Sequence, residues 1–166
     1  MPYIAGRVID GINRFTAILC VGLLAVLVSV SALQVFFRYI VQEPLIWSEE
    51  AARYLLIWIA FAASGLVLNS DGHPRIEVLP SILPQRAQAA IDLAIQALIL
   101  FFLVVFTYIA IDLAQRYVAF TSLGTGLSQA VPRYALPVGG ALMLINLLPK
   151  MRASLNILLR RGRHDR

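Results

Sequence analysis

The chain alternates between long apolar runs and shorter polar segments, and this pattern predicts its architecture. Residues 15–37 contain no charged side chain over 23 positions, and at about 1.5 Å per residue such a helix crosses a hydrocarbon core of about 30 Å. Three further runs lie at residues 51–68, 93–111 and 134–148. We therefore predict an all-α integral membrane protein, a single membrane domain over residues 1–166 with four transmembrane helices.

The first and fourth runs each require a choice. Arg14, the apolar run and the small residues 30–32 also suit a cleaved signal peptide, but the apolar region of a signal peptide has only about 7–15 residues. We therefore predict a retained span. The fourth run is short and contains Pro137, Gly139 and Gly140, which membrane helices tolerate.

The polar segments carry residues that end helices. Prolines at positions 74, 80 and 84 exclude one continuous helix between the second and third runs. Because apolar residues lie among them, we expect an interfacial amphipathic segment over residues 74–90, and another over residues 43–50. Residues 150–166 are predicted to form a short basic amphipathic tail.

The composition agrees with a membrane location. The chain is 60% hydrophobic and 14% charged, with a mean hydropathy of +0.79, whereas soluble domains are about 25% charged. A net charge of +5 could suggest nucleic acid, but the basic residues concentrate in the tail, as expected beside anionic lipid. We therefore predict no nucleic-acid partner. The candidate lipid-facing residues of the tail are Lys150, Arg152, Arg160, Arg161 and Arg163.

The distribution of Lys and Arg predicts the orientation. With both termini on one side, ten basic residues flank that side and four flank the other. By the positive-inside rule, both termini are then cytoplasmic. The segment around Trp47 would face the outside, the periplasm in a Gram-negative source, and the connector around His73 would face the cytoplasm.

Catalytic and cofactor motifs are scarce. The only histidines, His73 and His164, lie outside the apolar runs, which leaves bis-histidine haem ligation unsupported. Glu49 and Glu50 are adjacent, so on a helix their side chains point about 100° apart, a poor arrangement for paired acid–base work. Cys20 is the single cysteine, which excludes a disulfide framework within the chain. We predict no enzyme activity and no cofactor or metal.

The start of the second span is the most distinctive stretch. On one helix, Trp47, Glu50, Tyr54 and Trp58 recur at spacings of three and four and share a face. Two readings remain open: interfacial aromatics beside a solvated helix start, whose acids suit the helix dipole, or contact with a partner subunit.

These residues resemble a known family. The stretch Trp47-Ser48-Glu49-Glu50, Arg53-Tyr54 and Trp58, followed by residues 72–79 with the sequence GHPRIEVL, is similar to the small membrane subunit (DctQ-type) of tripartite ATP-independent periplasmic (TRAP) transporters. Chain length, four spans and the basic tail resemble that family too.

The resemblance implies a non-catalytic role. In such transporters a periplasmic binding protein delivers an organic acid, and a large many-span subunit carries it across, driven by an ion gradient, here expected to be sodium. The small subunit pairs with the large one as a scaffold or stator. The predicted partner-facing residues are Trp47, Glu49, Glu50, Arg53, Tyr54, Trp58, His73 and Arg75.

Two other classes of function remain as alternatives. The chain could be the membrane anchor of a redox complex, which has a similar number of spans, or a small autonomous transporter. The second alternative would require a solute site near the membrane midplane and internal repeats, and the sequence shows neither.

Overall fold

The computed structural model describes residues 2–69 and 85–159. It contains helices α1 (Pro2–Phe36), α2 (Ser48–Asn69), α3 (Gln85–Arg116), α4 (Ala130–Arg133) and α5 (Ala135–Leu159), with a π-helical turn, Phe37–Val41, after α1. Four of them are long and apolar enough to cross a membrane. This confirms the all-α prediction with four membrane-spanning helices.

The helices extend beyond the apolar runs from which they were predicted. Residues 2–14, which precede the first apolar run, continue α1 toward its N-terminus, and residues 85–90 of the expected interfacial segment are the first turns of α3. Residues 150–159 continue α5, with Pro149 inside the helix. Polar side chains at a membrane surface are hydrogen-bonded by water and lipid head groups, so a helix can continue through them. Hydropathy therefore marks the part of a helix that crosses the membrane and does not mark where the helix ends.

Local chemistry explains where α1 stops and α2 starts. Gln42 has a left-handed backbone with φ of 62° and its N–H donates to the Phe37 carbonyl, and Pro44 follows, which cannot continue a helix. Ser48 is fully buried and its hydroxyl donates to the Leu45 carbonyl at 2.7 Å. The short turn between the helices is therefore fixed by backbone and hydroxyl hydrogen bonds.

Helices α2 and α5 form the centre of the helix packing. They pack against each other, α1 lies against α2, and α3 lies against α5. Of the residues in the most apolar part of the span Ala130–Leu159, 39% are buried, compared with 6% in that of α1. The protein is therefore an open layer with α5 in its interior and α1 at one edge.

Glycines permit the close approach at this centre. A Cβ on Gly139 of α5 would lie 2.7 Å from the Phe61 carbonyl oxygen of α2, and a Cβ on Gly65 of α2 would lie 2.7 Å from the Leu142 Cβ. Small residues at such contacts are typical of membrane helix pairs. Beside them, Leu68, Leu103 and Leu147 form a buried apolar cluster that joins α2, α3 and α5.

A buried amide pair ties α1 to the centre. Asn13 and Asn146 exchange side-chain hydrogen bonds of 2.8 and 3.0 Å, and the Asn146 amide also lies 3.0 Å from the Gly65 carbonyl. Asn146 is 0% exposed. Three helices, α1, α2 and α5, are therefore joined by this buried amide pair.

Candidate functional site

Helix α2 begins at the end of the molecule where α3 ends and α5 begins, beside the loop formed by residues 117–129. Within this loop Thr121 and Ser128 form an isolated antiparallel bridge, and the Gln129 N–H donates to the Phe120 carbonyl at 2.8 Å. Gly126 has φ of +70°, a left-handed conformation that glycine adopts without steric cost. The loop is therefore a short ordered hairpin. From the sequence this region was predicted only as a polar segment, and its two glycines were the one available signal.

Glu50 connects this loop to α2. Its carboxylate accepts a hydrogen bond from the Tyr54 hydroxyl at 2.5 Å and from the Thr125 N–H at 3.1 Å. A Cβ on Gly124 would lie 2.7 Å from the Glu50 Oε2 atom, so a larger residue at position 124 would require this carboxylate to shift. From the sequence, Glu50 and Tyr54 were expected to share a helix face. The hydrogen bonds that Glu50 accepts from Tyr54 and from the loop were not predicted.

We expect that replacing Glu50 by glutamine loosens the loop. The amide nitrogen of glutamine cannot accept the hydrogen bonds that the second carboxylate oxygen accepts, and losing a charged acceptor costs about 1–3 kcal/mol. The amide of Thr125 should then exchange with deuterium about tenfold faster or more. Hydrogen exchange with mass spectrometry measures this.

The neighbouring Glu49→Gln variant is the matched control for that experiment. Glu49 is exposed, and its carboxylate accepts a hydrogen bond from Gln34 of α1 at 3.3 Å, remote from the loop. Equal exchange rates at Thr125 in the two variants would contradict the role given to Glu50.

The other predicted residues at this end differ in exposure. Trp47 is 40% exposed and its neighbour Ile46 is 81% exposed, whereas Trp58 is half-buried. Arg53 is exposed, and in residues 2–69 and 85–159 no carboxylate lies within ion-pair distance of it. Glu49 and Arg53 lie four residues apart on α2, a spacing that suits an ion pair, but they form none in this part of the chain.

A cleft of about 400 Å³ opens between α2 and the start of α5. Arg133 lies on its α5 side, with its guanidinium stacked 3.7 Å from the centre of the Tyr117 ring and donating to the Gln129 carbonyl. From the sequence, Arg133 contributed only to the count of basic residues on each side of the membrane. The residues that line the cleft are Glu50, Arg53, Tyr54, Ile57, Gln129, Pro132, Arg133 and Leu136.

Several predicted residues lie elsewhere. His73, Arg75, Arg160, Arg161 and Arg163 fall outside the described residues. Lys150 is half-buried and Arg152 exposed in the last turns of α5, at the other end of the molecule from the loop. Among the described residues, no group of three potential metal ligands is present.

Comparison with known proteins gives a consistent result. The family described as the DctQ component of tripartite ATP-independent periplasmic transporters matches residues 27–156. The chain is 28% identical to the sialic acid TRAP transporter small permease protein SiaQ of Vibrio cholerae, over 89% of this chain and 86% of that protein. It is 37% identical to a putative TRAP transporter small permease protein of Haemophilus influenzae, over 47% of this chain and 48% of that protein.

A longer protein also matches. The isethionate TRAP transporter permease protein DctMQ of Oleidesulfovibrio alaskensis is 26% identical over 84% of this chain, but the match covers only 23% of that protein. The four membrane-spanning helices agree with the multi-pass inner-membrane location of such permeases. Since the family match extends over most of the sequence, the chain belongs to the DctQ family, the small permease component of TRAP transporters.

Proposed function

We propose that this chain is a non-catalytic subunit that pairs with the large many-span subunit of a TRAP transporter and serves as its scaffold or stator. The transporter would take up an organic acid delivered by a periplasmic binding protein. The observation that carries this proposal is the family match over residues 27–156.

The longer relative supports the pairing. This chain corresponds to 23% of the DctMQ permease of Oleidesulfovibrio alaskensis. It also matches 19% of the sialic acid TRAP transporter permease protein SiaT of Haemophilus influenzae. Where one polypeptide holds both parts, they are together in the membrane. A chain that corresponds to the smaller part is then expected to associate with a separate larger one.

The distribution of charge favours a scaffold over a transporter of its own. The apolar runs at residues 15–37, 93–111 and 134–148, and the second run beyond Arg53, contain no Asp, Glu, Lys, Arg or His. A site for a charged solute or ion within a membrane normally uses such residues. We therefore assign solute and sodium binding to the large subunit.

The exposed edges of the layer offer surface for a membrane partner. On α1, Ile18 and Val21 are 65% and 68% exposed, and on α3 Leu98 and Phe101 are each 69% exposed. Such surfaces face either lipid or another membrane protein. Two long apolar helices at the edges of an open layer are a suitable shape for a subunit that braces a larger one.

We propose that the contact residues lie at the two ends of α2. At the outer end, Trp47, Glu49 and Arg53 present exposed side chains beside the ordered loop. Glu50, Tyr54 and Trp58 are less exposed and would support this surface from behind. His73 and Arg75 would fix the inner connector, and both termini would be cytoplasmic. The solute is proposed as an organic acid because three of the matched relatives are named for sialic acid or isethionate.

Replacing both Trp47 and Arg53 by alanine should reduce the amount of large subunit recovered with the tagged chain. The change removes an exposed aromatic side chain and an exposed charge, the residue types that dominate binding energy at interfaces. We expect a loss of about tenfold or more in recovery. Mild-detergent pull-down from the native membrane, with mass spectrometry of the recovered proteins, measures it.

Arg116→Ala provides the control for this pull-down, because the Arg116 guanidinium already pairs with Asp112 of its own helix at 2.8 Å. Unchanged recovery in the double variant would remove these two residues from the proposed interface. If the wild-type chain came alone or with a flavoprotein or iron–sulfur subunit, the pairing itself would be refuted.

A further inference from the structure

The cleft between α2 and the start of α5 combines two cations with an apolar floor. Arg53 and Arg133 both line it, with one acid, Glu50. The Glu50 carboxylate is engaged by the Tyr54 hydroxyl and the Thr125 N–H. The cleft therefore has an excess positive charge.

The two arginines differ from their neighbour Arg116 in how their charge is neutralised. Arg116 pairs with Asp112. Arg133 instead stacks on Tyr117 and donates to a main-chain carbonyl, and no carboxylate of the described residues reaches either Arg133 or Arg53. Guanidinium groups bind phosphate through two parallel hydrogen bonds, more specifically than an ammonium group does. The cleft thus has the chemistry of an anion site.

The lining changes from charged to apolar in the direction of the membrane interior. Helices α2 and α5 both run from this end into the span. Ile57 lies one helical turn beyond Arg53, and Leu136 about one turn beyond Arg133, and both line the cleft. A soluble anion would use only the charged mouth, whereas a phospholipid presents a phosphate above an apolar body. The gradation fits the lipid.

We propose that this cleft binds one anionic phospholipid, with its phosphate between Arg53 and Arg133 and its glycerol and first acyl carbons over Ile57 and Leu136. The volume of about 400 Å³ lies toward the lower end of small-molecule sites, which hold about 300–1,000 Å³. It accommodates a head group and the start of the chains. Arg53 is shared with the proposed subunit contact, whereas Arg133, Ile57 and Leu136 belong to this proposal alone.

Native mass spectrometry of the purified full chain, titrated with dioleoyl phosphatidylglycerol, tests it. The Arg53→Gln/Arg133→Gln variant should bind the first lipid about tenfold more weakly or worse, because two charge-assisted contacts are lost. Leu136→Trp keeps both arginines, fills the apolar floor and should weaken binding as well. Arg116→Gln is the matched control and should bind as the wild type does.

Four results would overturn the proposal. Two concern affinity: the Arg53→Gln/Arg133→Gln variant binds phosphatidylglycerol as tightly as the wild type, or the wild type binds dioleoyl phosphatidylcholine as tightly as phosphatidylglycerol. The other two are displacement of the lipid by millimolar glycerol phosphate, and lipid binding only after a co-purified protein is removed. Displacement would indicate a site for a free phosphate group, and the last result would indicate a partner carboxylate in the cleft. Arg53→Lys/Arg133→Lys keeps both charges and should retain measurable binding, so the test remains decisive if the glutamine variant fails to fold.

Discussion

Replacing Gly139 by alanine is expected to destabilise the protein, because overpacking a tight contact usually costs about 1–3 kcal/mol. The new Cβ would lie 2.7 Å from the Phe61 carbonyl oxygen and 3.0 Å from the Phe61 carbonyl carbon. These are main-chain atoms, so α2 must move away from α5. Alanine gains about 1 kcal/mol over glycine in helix propensity, which offsets only part of this cost. Thermal unfolding in detergent should show a melting temperature several degrees lower.

Gly22→Ala separates the packing effect from the change of residue type. Gly22 lies on α1, and a Cβ there meets nothing within 4 Å. That variant should be neutral or slightly more stable, since the propensity gain has nothing to oppose it. If both variants shifted the melting temperature in the same direction and by the same amount, close approach of α2 and α5 would not be the cause.

The second large effect is expected for Asn146→Leu. This change removes the amide that bonds Asn13 and the Gly65 carbonyl and leaves Asn13, itself buried, without its partner. A polar group orphaned in this way costs about 1–3 kcal/mol, although hydrogen bonds between membrane helices average only about 0.6 kcal/mol. We expect the free energy of unfolding to fall by about 2 kcal/mol, as for an orphaned polar group. Unfolding in mixed micelles measures this change.

A double-mutant cycle decides whether the amide pair is responsible. The Asn13→Leu/Asn146→Leu variant has no orphaned amide, so it should be more stable than the sum of the two single losses predicts. Additive losses would mean that each asparagine acts through separate contacts and that α1 is not held by the pair.

The helices could be predicted from the sequence because a membrane leaves few choices. Backbone groups in lipid must be bonded within the chain, so an uncharged run such as residues 93–111 can only be a helix. The helix limits could not be predicted in the same way. Lys150 and Arg152 do not interrupt α5, because side chains at a membrane surface are solvated whether or not the backbone is helical.

The arrangement of the helices and the function of Glu50 depended on contacts between residues distant in sequence. Glu50 and Thr125 are 75 positions apart, and Asn13 and Asn146 are 133 apart. A single sequence carries no signal for such pairs. The spacing of Glu50 and Tyr54 could be recognised because both lie on one helix, four residues apart, where geometry alone brings them together. Arg133 could not be recognised, because α4, which carries it, reaches the cleft lined by Arg53 only through packing against α2.

The central position of α5 also has a consequence for biosynthesis. Its residues leave the ribosome after those of the other three spans, yet it supplies the surface against which α2 and α3 pack. Until it is inserted, Gly65 has no Leu142 to contact, and Leu68 and Leu103 have no Leu147 between them. The contacts of α2 and α3 with α5 can therefore form only after α5 has entered the bilayer. A chain cut short before residue 135 would keep the contact between α1 and α2 but would lose the packing of α2 and α3 against α5.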